Sequence, residues 1–302
     1  MCAIVTGAQG FIGSHLVKRL IQQQTKVIAV VKKGADLWRL NPCLSKITLL
    51  ETQGFQERDL FHSLKIQAPV SFFHLAWEGV LGAYRLDDLQ KSNLTLTQNL
   101  LKSLKFLPLK TLVALGSQAE YGSKDHAIRE EEELTPLTLY GKMKLEVCRI
   151  LQNYCSCHHS SFIWFRLFSC YGPYDRPEWL IPYVIGQFLQ NKEPLLTQGD
   201  QRWDYLYVQD AVEALVQGEK LLGNHIFNLG SGITVTIKEL VTKLYDLIQP
   251  AVALKFGTQP FRKDQIMHLQ ADMTRFFTAT SWRPMTTLSE GLKTTILSAT
   301  LP

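Results

Sequence analysis

The amino-acid sequence predicts an α/β fold in which helices cover both faces of a parallel sheet. In the first half of the chain, short apolar runs alternate with longer stretches that carry apolar residues at helical spacing. Apolar runs that lack a polar residue at every second position are typical of strands buried on both faces. A glycine-rich turn joins the first run to the first helical stretch, which favours a doubly wound sheet.

Each element of the first half follows from its apolar pattern. Residues 3–6 form the first predicted strand, and residues 11–23 form an amphipathic helix because Ile12, Leu16 and Leu20 recur at helical spacing. The same reasoning predicts strands at residues 26–31, 47–50, 70–75, 111–115 and 162–168, and helices at residues 60–66, 86–106 and 139–154.

Prolines divide the chain into shorter segments after residue 166. The segments predict helices at residues 183–190, 210–221, 237–247 and 288–297, and strands at residues 206–208, 226–229 and 252–256. We therefore expect a first domain over residues 1–168, to which segments near residues 204–232 return, and a smaller α/β lobe over residues 169–302.

The composition excludes several classes of protein. Apolar residues make up 46% of the 302 residues, enough for a sizeable core. The net charge of +5 is spread along the chain, whereas nucleic-acid binders concentrate basic residues on one stripe. No apolar run approaches the roughly 20 residues that cross a bilayer, and we recognise no signal peptide. Six irregularly spaced cysteines fit reduced thiols, so we expect a cytoplasmic protein without nucleic-acid or membrane partners.

A metal site is not predicted. Cys155, Cys157, His158 and His159 lie close together in the sequence, but no second pair follows at metal-ligand spacing.

The glycine turn at residues 6–13 has the spacing Gly-x-x-Gly-x-x-Gly between a strand and a helix. Gly7 permits a tight turn, Gly10 allows the backbone to approach a pyrophosphate, and Gly13 allows the helix to pack close to the sheet. The backbone N–H groups at the helix start, at Phe11 and Ile12, then face the phosphates. The motif predicts a Rossmann-type site for a dinucleotide.

The residues after the second strand bear on the choice of dinucleotide. Lys32 and Lys33 follow that strand directly, and the first acidic residue is Asp36. A lysine attracts the 2′-phosphate of NADP(H), whereas a carboxylate repels it. The sequence therefore favours NADP(H) and leaves NAD(H) possible.

A proton-transfer group is predicted near the middle of the chain. Tyr140 and Lys144 are four residues apart in a helical stretch, so both side chains lie on one face. A nearby ammonium and the positive ring of an oxidised nicotinamide both favour the phenolate, so we expect them to lower the pKa of Tyr140. Ser117 follows the fifth strand, at the edge where sites form in parallel sheets. Its hydroxyl can bond the reacting oxygen of a substrate.

With these motifs, the chain resembles the extended short-chain dehydrogenase/reductase family, in its nucleotide-sugar epimerase and reductase branch. Further matches are residues 74–76, Asn93, residues 166–173, residues 203–210, residues 227–232 and the closing segment 282–292. The resemblance implies that Ser117, Tyr140 and Lys144 are catalytic. It also implies that Leu75, Ala76, Leu167 and Phe168 line the cofactor and that Arg262 binds the nucleotide diphosphate.

Departures from the family pattern narrow the expected chemistry. The 4,6-dehydratases of this family carry an Asp-Glu pair after the catalytic Ser or Thr, whereas this chain has Gln118 and Ala119. Trp203 stands at a usual arginine position, next to Arg202. Ser169 replaces a common asparagine, and Trp77 replaces a usually small residue. We expect substrate contacts from Trp77, Gln118, Ser169, Arg202 and Arg262, and the pattern resembles CDP-abequose synthase-like 4-ketoreductases most.

The expected activity is NAD(P)-dependent reduction or epimerisation of a nucleotide-activated (deoxy)hexose, with hydride transfer at C4 and Tyr140 as acid and base. The choice between reductase and epimerase stays open. The alternatives are a non-catalytic Rossmann protein that senses NADP(H) and a reductase of non-sugar ketones. Family members often pair through two helices, which here are residues 86–106 and 139–154, so a homodimer is possible.

Overall fold

The computed structural model describes residues 2–56, 60–262 and 265–300. The chain forms two compact units. The first consists of Met1–Gly122, Glu133–Arg166 and Val212–Phe227, and the second of Ser123–Glu132, Leu167–Ala211 and Asn228–Pro302.

The strands and α-helices of the described residues follow one another in the predicted alternation through the first half. The strands are β1 (Cys2–Thr6), β2 (Lys26–Lys32), β3 (Ile47–Thr52), β4 (Val70–His74), β5 (Leu109–Ser117), β6 (Ala127–Ile128), β7 (Ser161–Leu167), β8 (Ser169–Tyr171), β9 (Arg202–Tyr207), β10 (Asn224–Leu229), β11 (Thr234–Thr236) and β12 (His268–Ala271). The α-helices are α1 (Phe11–Gln22), α2 (Leu89–Leu104), α3 (Leu139–Cys157), α4 (Leu180–Leu189), α5 (Val208–Gly218), α6 (Ile237–Ile248), α7 (Thr274–Thr280) and α8 (Leu288–Thr300).

Seven of the described strands form one sheet, in the order β10-β7-β5-β4-β1-β2-β3. β1 pairs in parallel with both β2 and β4. The chain therefore builds the sheet outwards from β1, first on one side with β2 and β3 and then on the other side from β4 onwards. All five residues of β1 and all five of β4 are buried, because helices cover the sheet. The predicted doubly wound parallel sheet is therefore confirmed.

One hydrophobic cluster of the first unit lies on the side of the sheet that faces α2 and α3. Phe72 of β4 and Leu112 of β5 are completely buried there, in the same cluster as Leu100 of α2 and Leu151 of α3. Complete burial of one such side chain stabilises the fold by about 2 kcal/mol. This packing fixes α3, which carries Tyr140 and Lys144, against the strands at the centre of the sheet.

The second unit contains a smaller sheet, in the order β11-β9-β12-β6, with β8 paired to β9. Asp204 of β9 is completely buried in this unit. Its carboxylate accepts hydrogen bonds from the N–H groups of Ser231 at 2.6 Å, Gly232 at 2.9 Å and Ala271 at 3.1 Å. The side chain therefore joins β9, the loop after β10 and β12.

Two predicted elements are wrong. The stretch at residues 60–66 contains only a short 3₁₀ helix, His62–Leu64, which ends where Lys65 adopts a left-handed backbone with φ of 45°. The stretch at residues 252–256 forms no strand. Its backbone is held by single contacts, such as the bond from the Tyr245 hydroxyl to the Val252 carbonyl at 2.9 Å, and not by a ladder.

Candidate active site

The glycine turn is built as its spacing predicts. Gly7 has a left-handed backbone with φ of 67°, and a Cβ there would lie 2.8 Å from the Ala76 nitrogen. A Cβ on Gly13 would lie 2.2 Å from the Gly7 carbonyl oxygen, so the start of α1 packs directly on the turn. The N–H groups of Leu75 and Ala76 donate to the Thr6 hydroxyl at 3.2 and 3.3 Å. The turn and the end of β4 therefore lie side by side.

The start of α1 fits the phosphates of a dinucleotide. Gly10 is the N-cap residue, and no side chain bonds the first turn of the helix from that position. Without a capping side chain, the N–H groups at Phe11 and Ile12 are open to an anion. Nearby, the side-chain oxygen of Gln9 is buried and has no hydrogen-bond partner among the described residues. The residues present therefore fit the group that the glycine spacing predicts.

Lys32, predicted to attract a 2′-phosphate, has an acidic partner. Its Nζ lies 2.7 Å from Oε1 of Glu78, and both side chains are exposed to solvent. Asn93 holds the backbone of Glu78, since the Glu78 N–H donates to the Asn93 side chain at 2.8 Å. The sequence did not reveal this carboxylate, because Glu78 lies 46 residues beyond Lys32 in the chain. The carboxylate of Glu78 therefore neutralises part of the positive charge that Lys32 would offer to a 2′-phosphate.

Ser117, Tyr140 and Lys144 lie together in the first unit, and all three are buried. Ser117 ends β5, and Tyr140 lies in the first turn of α3. The Thr138 hydroxyl caps that helix by accepting a hydrogen bond from the Gly141 N–H at 3.1 Å. A Cβ on Gly141 would lie 2.3 Å from the Ala119 carbonyl oxygen, so glycine lets the helix start approach the turn that follows β5. As a result, Ser117 lies near enough to Tyr140 for its hydroxyl to lower the pKa of the phenol against the effect of burial.

Lys144 occupies a pocket formed by backbone and an aromatic ring. Its Nζ donates to the Leu115 carbonyl at 2.7 Å and lies 3.7 Å from the centre of the Trp77 ring. Burial lowers the pKa of Lys144 to about 7, and the negative charge of Glu120 opposes that shift. Lys144 therefore titrates near neutrality, although an exposed lysine does not.

Trp77, expected to contact substrate, packs against the proposed catalytic side chains. Its ring meets the Tyr140 ring edge to face, with centroids 5.9 Å apart. Its indole N–H donates to the side-chain oxygen of Gln90 at 3.0 Å, which fixes the plane of the ring. The ring is only partly buried, so one part of it is accessible.

The expected lowering of the Tyr140 pKa is wrong for this structure. Burial of the phenol raises its pKa, while the Arg85 guanidinium and the hydrogen bond with Ser117 act in the opposite direction. The Arg85 guanidinium carbon lies 4.9 Å from the centre of the Tyr140 ring. Sequence reasoning missed Arg85, because its position depends on the conformation of the loop after β4.

Two further side chains near the carboxyl ends of the central strands have unpartnered atoms. His74 ends β4 and bonds the Thr6 hydroxyl through Nδ1 at 2.9 Å. Its Nε2 and the side-chain oxygen of Gln118 are buried and have no hydrogen-bond partner in the described part of the chain. Burial and the charge of Lys144 lower the pKa of His74 to about 3, so the ring is neutral at physiological pH.

The remaining predicted site residues belong to the second unit. Phe168 is buried, and its N–H donates to the Leu229 carbonyl at 2.9 Å. Leu167 is half-buried at the end of β7, and Ser169 is half-buried at the start of β8. Arg202, at the start of β9, and Arg262 are both exposed. Their roles stay predictions.

The sheet order and the glycine turn define a Rossmann-type dinucleotide-binding protein. More particularly, the chain belongs to the NAD dependent epimerase/dehydratase family, whose model matches residues 3–230. The prediction of a nicotinamide-dependent enzyme of the extended short-chain dehydrogenase/reductase type is thereby confirmed. None of the helices in the described residues has the length and apolar character needed to span a membrane.

Several relatives are similar over nearly their full length. CDP-abequose synthase of Salmonella muenchen is 25% identical over 301 residues, which cover 96% of this chain and 95% of that protein. The structure of UDP-glucose 4-epimerase from Thermotoga maritima with UDP-glucose is 26% identical, with a TM-score of 0.88 and coverage of 99% of this chain and 98% of that chain. MoeE5 in complex with UDP-glucuronic acid and NAD is 27% identical, with a TM-score of 0.84 and coverage of 99% of each chain.

Proposed function

We propose that this protein is an NAD(P)-dependent reductase or epimerase that acts at C4 of a nucleotide-activated hexose. One observation carries the proposal: Ser117, Tyr140 and Lys144 are all buried in the unit that holds the glycine turn, and the Lys144 Nζ lies 5.8 Å from the centre of the Tyr140 ring on the same helix face. The names of the relatives support the substrate class, since they include a CDP-linked sugar synthase and a 4-epimerase with bound UDP-glucose.

The proposed cofactor site is formed by the glycine turn and its neighbours. The N–H groups of the first turn of α1 would hold the pyrophosphate, beside Gly7 and Gly10. By resemblance to the family, the other cofactor contacts are Gly13, Lys32, Leu75, Ala76, Leu167 and Phe168. When bound, the nicotinamide ring gives a hydride to the substrate carbon or accepts one from it.

Tyr140 is the proposed acid and base. In reduction, its hydroxyl gives a proton to the carbonyl oxygen of the substrate, and in oxidation the phenolate takes a proton from the hydroxyl group. The Ser117 hydroxyl orients the phenol. The Lys144 ammonium, fixed by the Leu115 carbonyl, stabilises the negative charge that develops on the phenol oxygen.

The substrate contacts are proposed on both units. In the first unit, the unpartnered side-chain oxygen of Gln118 can accept a hydrogen bond from a sugar hydroxyl. Trp77 offers an aromatic face beside Tyr140. In the second unit, Arg202 and Arg262 are exposed cations suited to a diphosphate, and Ser169 offers a hydroxyl. The nucleotide-sugar role of residues 169–302, and the cofactor role of residues 1–168, belong to this proposal.

NADP(H) is the proposed preferred cofactor, because Lys32 and Lys33 follow β2 and attract a 2′-phosphate. Glu78 weakens this argument, since it neutralises part of the charge on Lys32. NAD(H) is the competing choice, and MoeE5 has NAD in its complex.

The state of the protein in the cell is also a proposal. The six cysteines carry free thiols, which suits a reducing compartment such as the cytoplasm. A homodimer through the surfaces of α2 and α3 is proposed by resemblance to the family.

The test is turnover of a panel of sugar nucleotides, including 4-keto deoxysugar nucleotides and UDP-glucose, with each reduced and oxidised cofactor. Loss of one equivalent of NAD(P)H absorbance per product identifies a reductase. Product that forms without net loss of absorbance identifies an epimerase. Tight cofactor binding without turnover of any sugar nucleotide contradicts the proposal and favours a cofactor-sensing protein, whereas turnover of non-sugar ketones alone favours the ketone reductase.

A further inference from the structure

A completely buried carboxylate, that of Glu120, lies next to the backbone of Ser117. Glu120 belongs to the 3₁₀ helix Gln118–Glu120 that follows β5, and its side chain is completely inaccessible to solvent. The carboxylate accepts hydrogen bonds from the Ser117 N–H at 2.9 Å, from the Trp164 indole N–H at 3.1 Å and from Nε of Arg166 at 2.8 Å.

The contacts favour the ionised form of Glu120. Each group that bonds its oxygens in these contacts is an N–H donor, so a proton on either oxygen would point at another proton. Burial raises the pKa of Glu120, but the Arg166 guanidinium and the Ser117 N–H oppose that shift. Arg166 also donates to the Tyr121 hydroxyl at 2.9 Å, which fixes the guanidinium in place.

The end of β5 is shaped around this carboxylate. A Cβ on Gly116 would lie 2.3 Å from Oε1 of Glu120 and 2.2 Å from the indole nitrogen of Trp164. Glycine therefore lets the carboxylate and the indole close against the strand, one residue before Ser117.

The carboxylate fixes the backbone of Ser117 from one side. Glu120 accepts the Ser117 N–H, while the Ser117 hydroxyl accepts the Ala119 N–H at 3.2 Å, so the two residues form a capping box. The hydroxyl that takes part in this box is also the one that acts on the Tyr140 phenol and lowers its pKa. A shift of the Ser117 backbone would therefore move the hydroxyl away from the phenol.

The charge of Glu120 also acts on both titrating groups of the site. It raises the pKa of Lys144 against the effect of burial, and it raises the pKa of Tyr140. The other groups that face Lys144 are His74 from β4, the Trp77 ring and the Tyr140 ring. Arg85 and Ser117 also face Tyr140, and Arg166, Trp164 and Cys148 also face Glu120.

We propose that Glu120 is a positioning residue for proton transfer: its carboxylate holds the backbone of Ser117 at the end of β5, and it supplies a negative charge that balances the Lys144 ammonium. The inference rests on the proposed function for its kinetic part. The effect on Lys144 does not depend on which substrate is used.

The first measurement is the titration of Lys144, followed by NMR of carbon-labelled lysine side chains. The resonance is assigned as the one that is missing in Lys144→Met. In Glu120→Gln, we expect the midpoint to fall by about one pH unit relative to wild type, because a neighbouring opposite charge is lost. Glu219→Gln is the matched control, since Glu219 is also buried and bonds Ser71, at the amino end of β4. We expect no shift in the control.

The second measurement is the pH profile of turnover. Loss of the negative charge lowers the pKa of both Lys144 and Tyr140, and reduction needs both groups protonated. The alkaline limb of the profile should therefore move to lower pH in Glu120→Gln. Glu120→Asp keeps the charge but shortens the side chain, so kcat should fall about tenfold with an unchanged profile.

The outcomes separate this inference from the proposed function. An unchanged Lys144 midpoint in folded Glu120→Gln overturns the inference, whatever the wild-type enzyme turns over. A shifted midpoint without turnover by wild type supports the effect of Glu120 on Lys144 and contradicts the proposed function. If Glu120→Gln does not fold, Glu120→Gln/Arg166→Gln is compared with Arg166→Gln, so that only the Glu120 charge differs between the two variants. A lower Lys144 midpoint in the double variant supports the inference, and equal midpoints overturn it.

Discussion

Each of the two compact units buries a carboxylate completely, but the two carboxylates are stabilised in different ways. In the first unit, Glu120 bonds a guanidinium and lies where its charge acts on Lys144 and Tyr140. In the second unit, Asp204 accepts backbone N–H groups and the Ser231 hydroxyl, all of them neutral donors. Two equally buried acids can therefore have different roles. Glu120 is proposed to act on proton transfer, whereas Asp204 holds a loop against two strands. The hydrogen-bond donors distinguish the two acids, since those of Glu120 include a charged guanidinium and those of Asp204 are all neutral.

The largest effect is expected from removing the carboxylate of the second unit. Asp204→Ala leaves several buried donors without an acceptor, so we expect the free energy of unfolding to fall by about 3–5 kcal/mol. Urea denaturation measures the loss. Asp200→Ala is the control in the same unit, since Asp200 is exposed, and it should be nearly neutral. A loss below about 1 kcal/mol for Asp204→Ala would show that the donors find other partners.

Asp204→Asn tests whether the carboxylate of the second unit differs from Glu120 in its effect on proton transfer. Asp204→Asn should reduce stability without moving the pH profile of turnover at temperatures where the protein is folded. An altered pH profile in Asp204→Asn would mean that the carboxylates of both units act on proton transfer.

A smaller effect concerns the acid stability of the first unit. The pKa of His74 is lowered from 6.5 to about 3 in the folded chain by burial and by the charge of Lys144. Below pH 6.5 the unfolded chain therefore binds a proton that the folded chain does not. Stability should fall as the pH decreases from 6.5 towards 3, by up to about 1.4 kcal/mol per pH unit from this group.

His74→Asn should flatten that slope in denaturation experiments at a series of pH values. His159→Asn is the control, because His159 is exposed, and it should leave the slope unchanged. An equal slope in His74→Asn and wild type would mean that other groups cause the acid sensitivity.

The smallest effect concerns cofactor choice. Glu78→Gln frees Lys32 from its acidic partner, so we expect the affinity for NADPH to rise about fivefold relative to NADH, in keeping with an exposed ion pair of roughly 1 kcal/mol. Lys32→Ala should change the ratio in the opposite direction. Fluorescence titration of both cofactors measures the ratio, and no change in either variant would remove Lys32 from the cofactor site.

The sequence predicted elements well where one local pattern is enough. The helical stretches at residues 11–23 and 139–154 match α1 and α3 closely, because their apolar spacing and the residues that begin them are local signals. The stretches at residues 60–66 and 252–256 are too short for their apolar residues to distinguish a helix or strand from a packed loop. The short strands β6, β8 and β12 depend on pairing with distant segments, so no local pattern revealed them.

In the site, too, the features set by local spacing were predicted and those set by distant contacts were not. The glycine turn and the grouping of Ser117, Tyr140 and Lys144 follow from motif spacing on predicted elements. Glu78 and Arg85 reach Lys32 and Tyr140 through the loop after β4, whose course the sequence does not encode locally. The direction of the Tyr140 pKa shift also depends on burial, which spacing alone does not reveal.

The central claim is that the Tyr140 hydroxyl transfers the proton, and Tyr140→Phe tests it most directly. We compare kcat for the sugar nucleotide that wild type turns over, together with the Kd of the cofactor. Tyr84→Phe is the matched control, because Tyr84 is an exposed tyrosine of the same unit. We expect kcat to fall by at least about 100-fold in Tyr140→Phe, with an unchanged Kd and normal turnover in the control. Turnover by Tyr140→Phe that equals wild type would contradict the account.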